Sequence, residues 1–490
     1  CCDSIRRLYD VLREEFPEKF IYMLDTPRIT GEPGVKLYSQ RILAMTEEYE
    51  RFSGRTFDKA VFLKFLKTKQ EEQQYQIKSR ALNIGIIGAR ANESIKQILK
   101  EKNANVAFDL TCTGLGRKIL IEEEFPIESY ARGLLSQFPC MRMEQASDRD
   151  ELIRRFAGSV DGIIYHTVQF CDNYAYEYAW LKDWLDRPML LLETDYTRQS
   201  GGQVRTRIEA FLESLSPEIP AANKKRKGDG KMYVMGIDSG STSTNAVIMD
   251  QDRQIKAFSV VRTGAKSGVS ADRVLKDVLE KAGLQREDIG WIVSTGYGRV
   301  SIEFADENVT EISCHGKGAH YFNPDVRTIL DIGGQDSKGI RLNENGEVRD
   351  FVMNDKCAAG TGRFLEMIAR TLEVSLDELG AIALTSQEKI EITSMCSVFA
   401  ESEVISLIAN NKEKADIADG VCHAIANKAF GLLRRAGMEP EFMMTGGVAK
   451  NPGVVRAVEE KIGAKLYICK EPEIVGATGA ALYALEKNGF

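Results

Sequence analysis

Residues 233–249 read Tyr-Val-Met-Gly-Ile-Asp-Ser-Gly-Ser-Thr-Ser-Thr-Asn-Ala-Val-Ile-Met. An apolar run ends in an acid, Asp238, and passes through a turn of small residues, Gly240, Ser241, Thr242 and Ser243. It then resumes as a second apolar run. The pattern predicts a β-hairpin whose turn brings backbone N–H groups close to phosphate oxygens, with Asp238 placed to hold a hydrated Mg²⁺. Residues 328–340, Thr-Ile-Leu-Asp-Ile-Gly-Gly-Gln-Asp-Ser-Lys-Gly-Ile, repeat the idea, with Asp331 ending a strand ahead of Gly333 and Gly334. Residues 441–451, Glu-Phe-Met-Met-Thr-Gly-Gly-Val-Ala-Lys-Asn, run from a strand through Gly446 and Gly447 towards a helix. Bare Gly-Gly turns suit a backbone that packs against a purine or ribose, because no Cβ intrudes. Neither GxxxxGK[ST] nor GxGxxG occurs.

The rest of the composition narrows the field. A chain of 490 residues gives a prior of about three domains at roughly 150 residues each. Hydrophobic residues make up 43% and charged residues 28%, with a mean hydropathy of −0.25. That balance fits a globular chain rather than a disordered or fibrous one. The longest apolar runs, such as 84–88 and 189–192, fall far short of the ~20 residues that cross a bilayer, so no membrane association is expected. A net charge of −7 gives no electrostatic reason to expect nucleic acid. The chain opens Cys-Cys-Asp-Ser-Ile-Arg-Arg, with no basic-then-apolar export pattern and no Met, so further residues are expected ahead of it. Ten cysteines in a long chain without an export signal point to a reducing, cytoplasmic compartment, where thiols are buried fillers or metal ligands. The four histidines form no HxxxH or HExxH pattern.

Residues 217–231, Pro-Glu-Ile-Pro-Ala-Ala-Asn-Lys-Lys-Arg-Lys-Gly-Asp-Gly-Lys, make a poor helix and a poor strand and predict a solvated linker. The expected domains are therefore 1–216 and 232–490. Before the linker, strands are expected at 20–25, 82–88, 105–110, 161–165 and 188–193, with helices at 91–101 and 148–157. Such alternation predicts a parallel α/β sheet of Rossmann type, with Asp25, Cys112, Cys171 and Asp195 at or just past strand ends.

Taken in order, the three turns of the second half resemble the actin, Hsp70 and sugar-kinase fold. That resemblance implies two ribonuclease-H-like lobes clamping ATP and Mg²⁺. The first hairpin is similar to phosphate-1, the second to phosphate-2, and the third, running to Asn451, to the adenosine motif. Residues 473–483 resemble the closing helix. The resemblance also implies that Thr242 and Ser243 donate to phosphate, and that Gln335 and Asp336 lie near the γ-phosphate and orient the attacking water.

Two cysteines refine this. Cys357 stands in Asn354-Asp355-Lys356-Cys357-Ala358-Ala359-Gly360-Thr361-Gly362, and Cys396, 39 positions on, in Met395-Cys396-Ser397-Val398-Phe399-Ala400-Glu401. Each precedes a helical pattern: Phe364, Ile368 and Leu372 for the first, Val404, Leu407 and Ile408 for the second. A thiolate or anionic cluster at a helix N-terminus is stabilised by the dipole. Two cysteines alone are more often unrelated buried thiols. A [4Fe–4S] cluster usually takes four thiolates, which a two-fold dimer would supply. Together with Asp331-Ile332-Gly333-Gly334-Gln335-Asp336-Ser337-Lys338, these motifs resemble the ATP-dependent activators of 2-hydroxyacyl-CoA dehydratases, the BadF/BadG/BcrA/BcrD ATPases. The resemblance implies a homodimer bridged by one [4Fe–4S] cluster on Cys357 and Cys396 of both chains. It also implies one-electron transfer to a partner cluster coupled to ATP hydrolysis, with ferredoxin or flavodoxin as donor. Cys314, Cys422 and Cys469 match no motif and are expected to be buried thiols.

Residues 1–216 resemble the D-component of 2-hydroxyacyl-CoA dehydratases and the related double-cubane cluster proteins. The likeness lies in Cys2-Asp3-Ser4-Ile5-Arg6-Arg7, Asp109-Leu110-Thr111-Cys112-Thr113-Gly114, Phe170-Cys171-Asp172 and Gly201-Gly202-Gln203-Val204-Arg205-Thr206-Arg207. It implies a second iron–sulfur cluster with Cys2 and Cys171 as ligands and Cys112 as a third candidate. The family's further N-terminal cysteine segment has no counterpart here, and Cys140 is expected to be structural. The activator reading stands beside three alternatives: a small-molecule kinase on the same fold, a nucleotide-dependent scaffold, and a dehydratase component itself.

Overall fold

The computed structural model describes residues 3–71, 77–90, 93–112, 120–136, 139–140, 143–144, 148–169, 171–195, 201–215, 232–264, 266–355, 357–393 and 396–489. The segment 217–231 and Cys2 lie outside them. The chain divides into two compact units, Cys1–Leu215 and Ser216–Phe490.

In the first unit, β1 (Asn83–Gly88), β2 (Asn105–Thr111), β3 (Gly162–Val168) and β4 (Met189–Thr194) form a parallel sheet in the order β2-β1-β3-β4. All six residues of β1 are buried, as expected for a central parallel strand covered on both faces. Helices Glu93–Glu101, Arg149–Ala157 and Asp172–Trp184 follow β1, β2 and β3 in the chain. No strand forms at 20–25. The apolar residues there pack by their rings, Phe20 lying 5.0 Å from Tyr49 and 5.6 Å from Phe52 of helix Gly31–Ser53. Asp25 accordingly ends no strand and lies 3.7 Å from Arg41 and 3.9 Å from Arg6.

The second unit repeats one topology. β5 (Tyr233–Ser239), β6 (Ser243–Asp250), β7 (Ile255–Arg262), β8 (Ile289–Thr295) and β9 (Glu307–Asn308) form a sheet ordered β7-β6-β5-β8-β9. β10 (Thr328–Ile332), β11 (Ser337–Leu342), β12 (Val348–Asn354), β13 (Phe442–Thr445) and β14 (Leu466–Tyr467) form another, ordered β12-β11-β10-β13-β14. In each sheet three antiparallel strands are joined to two parallel ones. This is the duplicated ribonuclease-H-like architecture of the actin and sugar-kinase fold.

Helix Val475–Asn488 packs on β5 and β8 and crosses helix Glu311–Phe322. The crossing is tight because it is built on glycine: a Cβ on Gly479 would lie 1.8 Å from the carbonyl oxygen of Cys314. Helices Gly362–Thr371, Lys414–Ala436 and Pro452–Ile462 close the second lobe around Leu365, Ile368, Val421 and Val454. Among the described residues, no helix is long and apolar enough to cross a membrane.

Candidate functional site

The turns after β5, β10 and β13 converge on one cavity of about 460 Å³, within the range of small-ligand sites. It is lined by Asp238, Gly240, Ser241, Thr242 and Ser243 from the first turn and by Asp331, Gly333, Gly334 and Asp336 from the second. Gly446, Gly447 and Asn451 line it from the third. Gln335 is exposed and stands outside this lining. The two lobes meet closely here, since a Cβ on Gly334 would lie 1.9 Å from Thr242 Oγ1.

The floor of the cavity carries a buried ionic network. Lys338 Nζ lies 3.1 Å from Asp331 Oδ2 and 2.5 Å from Asp336 Oδ2. Thr445 Oγ1 donates to Asp331 Oδ1 at 2.8 Å. His315 Nε2 lies 3.2 Å from the same oxygen. Burial would raise the Asp331 carboxyl, but His315 and Lys338 hold it well below the usual carboxylate range. Burial would likewise depress His315, and Asp331 and Asp238 instead raise it to about 9. Asp238 differs: burial dominates and lifts it to about 6 against the pull of His315 and Lys338. No described side chain hydrogen-bonds its carboxylate. A buried acid with that environment gains most from a cation delivered with a ligand.

Two amide groups of the lining are also incomplete. Asn451 Oδ1 accepts from the backbone N–H of Val454 at 3.0 Å and so caps helix Pro452–Ile462. Its Nδ2, and Asn245 Oδ1, are buried with no partner among the described residues. A buried donor left without an acceptor costs about 1–3 kcal/mol, so these atoms fit a site that a polar ligand completes. His315, Lys338, Thr445 and Tyr297, another lining residue, received no role from the sequence. Lys338 stands opposite Asp331 in the antiparallel β10–β11 pair, so the hairpin pattern itself could have placed it there, whereas no spacing puts His315 of helix Glu311–Phe322 on the same carboxylate.

The cysteines occupy two kinds of place. Cys396 is exposed and is the N-cap residue of helix Ser397–Ala409. Cys357 is half-buried and stands five residues before helix Gly362–Thr371, whose N-cap is Thr361. The intervening chain turns at Gly360 (φ +98°) and is held by the Thr361 Oγ1 bond to the Ala358 carbonyl at 2.7 Å. Cys357 therefore heads a turn rather than the helix itself. Cys314, Cys422 and Cys469 are buried, and burial pushes Cys422 up to about 12 and Cys469 up to about 11.

In the first unit, Cys171 is the N-cap residue of helix Asp172–Trp184. Tyr174 on that helix lies with its hydroxyl 3.1 Å from the Cys112 sulfur and 3.9 Å from that of Cys140. Cys140, read as merely structural, thus shares a corner with Cys112. Among the described residues, no group of three or more metal-ligating side chains comes together in this single chain.

Residues 235–484 match the BadF/BadG/BcrA/BcrD ATPase family. The chain belongs to that family. Residues 62–215 match 2-hydroxyglutaryl-CoA dehydratase, D-component, so one polypeptide joins the two parts. Over 255 residues the chain is 49% identical to the activator of lactoyl-CoA dehydratase from Anaerotignum propionicum, covering 52% of this chain and 98% of that protein. Two solved structures share the fold of this part. One is the activator of the 2-hydroxyisocaproyl-CoA dehydratase from Clostridium difficile with bound ADPNP (44% identity, TM-score 0.51, 52% of this chain and 96% of that one). The other is (R)-2-hydroxyglutaryl-CoA dehydratase component A from Acidaminococcus fermentans (43% identity, TM-score 0.52, 53% of this chain and all of that one). The matched range, residues 235–484, contains the three turns and both Cys357 and Cys396.

Proposed function

We propose that this protein is an ATP-dependent reductive activator. In this reading the cavity binds ATP with Mg²⁺. Binding and hydrolysis there are coupled to the delivery of one low-potential electron to an iron–sulfur acceptor. The acceptor is a 2-hydroxyacyl-CoA dehydratase, a double-cubane cluster, or the chain's own first half. Ferredoxin or flavodoxin supplies the electron in the cytoplasm. Residues 1–216 are the acceptor-like iron–sulfur domain, 217–231 the linker and 232–490 the activase. Joining the two by a linker replaces a diffusional encounter with a high effective concentration.

Each residue has a part. Asp238 holds the hydrated Mg²⁺. Gly240, Ser241, Thr242 and Ser243 receive one set of phosphate oxygens, and Gly333 and Gly334 the other. Asp331, neutralised by Lys338 and His315, fixes the floor. Asp336, which lines the cavity, orients the attacking water, a role that exposed Gln335 outside the lining does not share. Gly446, Gly447 and Asn451 take the nucleoside, the Asn451 amide using its free donor. Cys357 and Cys396 of two copies would hold a [4Fe–4S] cluster, which supplies the low-potential electron when bound. Cys112 and Cys171, with Cys2, are the candidate ligands in the first half.

The observation that carries the reading is the setting of Cys396. It caps a helix whose outer face exposes Val398 (63%), Phe399 (68%) and Ile405 (53%), an apolar surface that a second copy would cover. Anaerobic purification tests the reading. A brown, iron-containing dimer that reduces an iron–sulfur acceptor only with ATP is expected, and Cys357→Ala abolishes that reduction. A colourless, iron-free protein that still consumes ATP supports the kinase alternative instead.

A further inference from the structure

The turn Gly333–Asp336 faces the cavity on one side and holds the Cys357 loop on the other. At the far end of that loop, the backbone N–H of Gly362 donates to the Gly333 carbonyl at 2.9 Å. That of Arg363 donates to Gly334 at 2.9 Å. At the near end stands Asn354, the last residue of β12 and the register partner of Ser337 on β11. Its Nδ2 donates to the Cys357 carbonyl at 3.1 Å and reaches Ser337 Oγ at 3.5 Å. Ser337 directly follows Asp336, which lines the cavity. The loop is thus tied to the cavity turn at both ends, and Asn354 is the side chain that makes the near tie.

We propose that Asn354 is a positioning residue that transmits the state of the cavity turn to Cys357. This rests on the reading of the cavity as a nucleotide site. An amide suits the place because one nitrogen carries two hydrogens, one for the hydroxyl and one for the carbonyl. A carboxylate of the same shape has no hydrogen to give and would face the Cys357 carbonyl with a lone pair. The antiparallel β11–β12 ladder is paired from Ser337 to Leu342, so a shift of the turn that moves Ser337 carries Asn354 with it. The covalent chain alone would let residues 355–361 absorb the same shift. With the amide in place, ligand binding to the turn changes the exposure of the Cys357 sulfur.

The test uses the full chain, reduced and freed of iron by chelation, so that Cys357 is available to iodoacetamide. Labelling of the Cys357 peptide is followed by mass spectrometry with and without Mg²⁺ and the non-hydrolysable analogue ADPNP. In the wild type, nucleotide is expected to change the labelling rate about fivefold or more, a typical coupling between two sites. In Asn354→Asp the rate becomes independent of nucleotide, while ADPNP still raises the melting temperature. If Asn354→Asp does not fold, Asn354→Ala removes the same donor without adding a charge and is expected to do the same. A full nucleotide response in a folded variant overturns the proposal. So does a wild type whose melting temperature responds to ADPNP but whose Cys357 labelling does not. A wild type whose melting temperature ignores ADPNP overturns the nucleotide-site reading, and the coupling with it.

Discussion

His315 presents Nε2 to Asp331 Oδ1 at 3.2 Å and Nδ1 to the Glu311 carbonyl at 2.8 Å. Both neighbours can only accept, so both ring nitrogens carry hydrogen and the side chain is an imidazolium. Its folded value of about 9 lies above the ordinary 6.5. A raised value stabilises the fold fully below about pH 6.5, and that stability is lost as pH rises through about 9. The shift corresponds to about 3 kcal/mol. Thermal unfolding between pH 6 and 10 should therefore fall more steeply for the wild type than for His315→Asn. Parallel profiles would show that the ring is not charged in the fold.

Asn451 separates stability from binding. Its Oδ1 caps helix Pro452–Ile462 while its Nδ2 stays without a described partner. Asn451→Ala loses both, and should cost about 1 kcal/mol of stability as well as nucleotide affinity. Asn451→Asp keeps the capping oxygen and loses the donor. It should unfold at the wild-type urea concentration yet bind ADPNP roughly tenfold more weakly by calorimetry, the loss of one buried hydrogen bond. Equal affinity for the two proteins would remove Asn451 from the nucleotide site.

The crossing of helices Glu311–Phe322 and Val475–Asn488 leaves no room for a methyl group. Gly479→Ala would set a Cβ 1.8 Å from the Cys314 carbonyl oxygen, and backbone cannot swing aside as a flexible side chain can. A loss of about 1–3 kcal/mol or more is expected. Gly431, inside helix Lys414–Ala436, has nothing within 4 Å of a built Cβ, so Gly431→Ala should gain about 0.5–1 kcal/mol. Urea midpoints of the two variants should move in opposite directions from wild type.

Much of this was legible because small residues between apolar runs have few other uses. The turns at Gly240, Gly333 and Gly446 announce themselves locally, as do the four parallel strands of the first unit. The run 20–25 misleads because an aromatic-rich segment can satisfy itself by ring packing on a helix as readily as in a sheet. The offset of Cys357 from its helix depends on one left-handed glycine, Gly360, which apolar periodicity does not register. Lys338 faces Asp331 directly across the β10–β11 pair, but His315 reaches the same carboxylate only when helix Glu311–Phe322 packs against that sheet. Cys112, Cys140 and Tyr174 meet in the same way, from segments far apart in the chain.

One chain brings two of the four thiolates that a [4Fe–4S] cluster requires, so cluster binding and self-association should fail together. Phe399 is 68% exposed beside Cys396 on helix Ser397–Ala409. A carboxylate there would have to be desolvated wherever that face meets another copy. Phe399→Glu should therefore run as a monomer in anaerobic size exclusion and lose about four irons per former dimer. Cys396→Ser should lose the same iron by removing a ligand. Cys422→Ser, changing a fully buried thiol, should lose none of it. Because the comparison is a difference from wild type, any iron in the first half of the chain cancels. A monomeric Phe399→Glu protein that kept the full iron content would place the cluster within a single chain and away from this face.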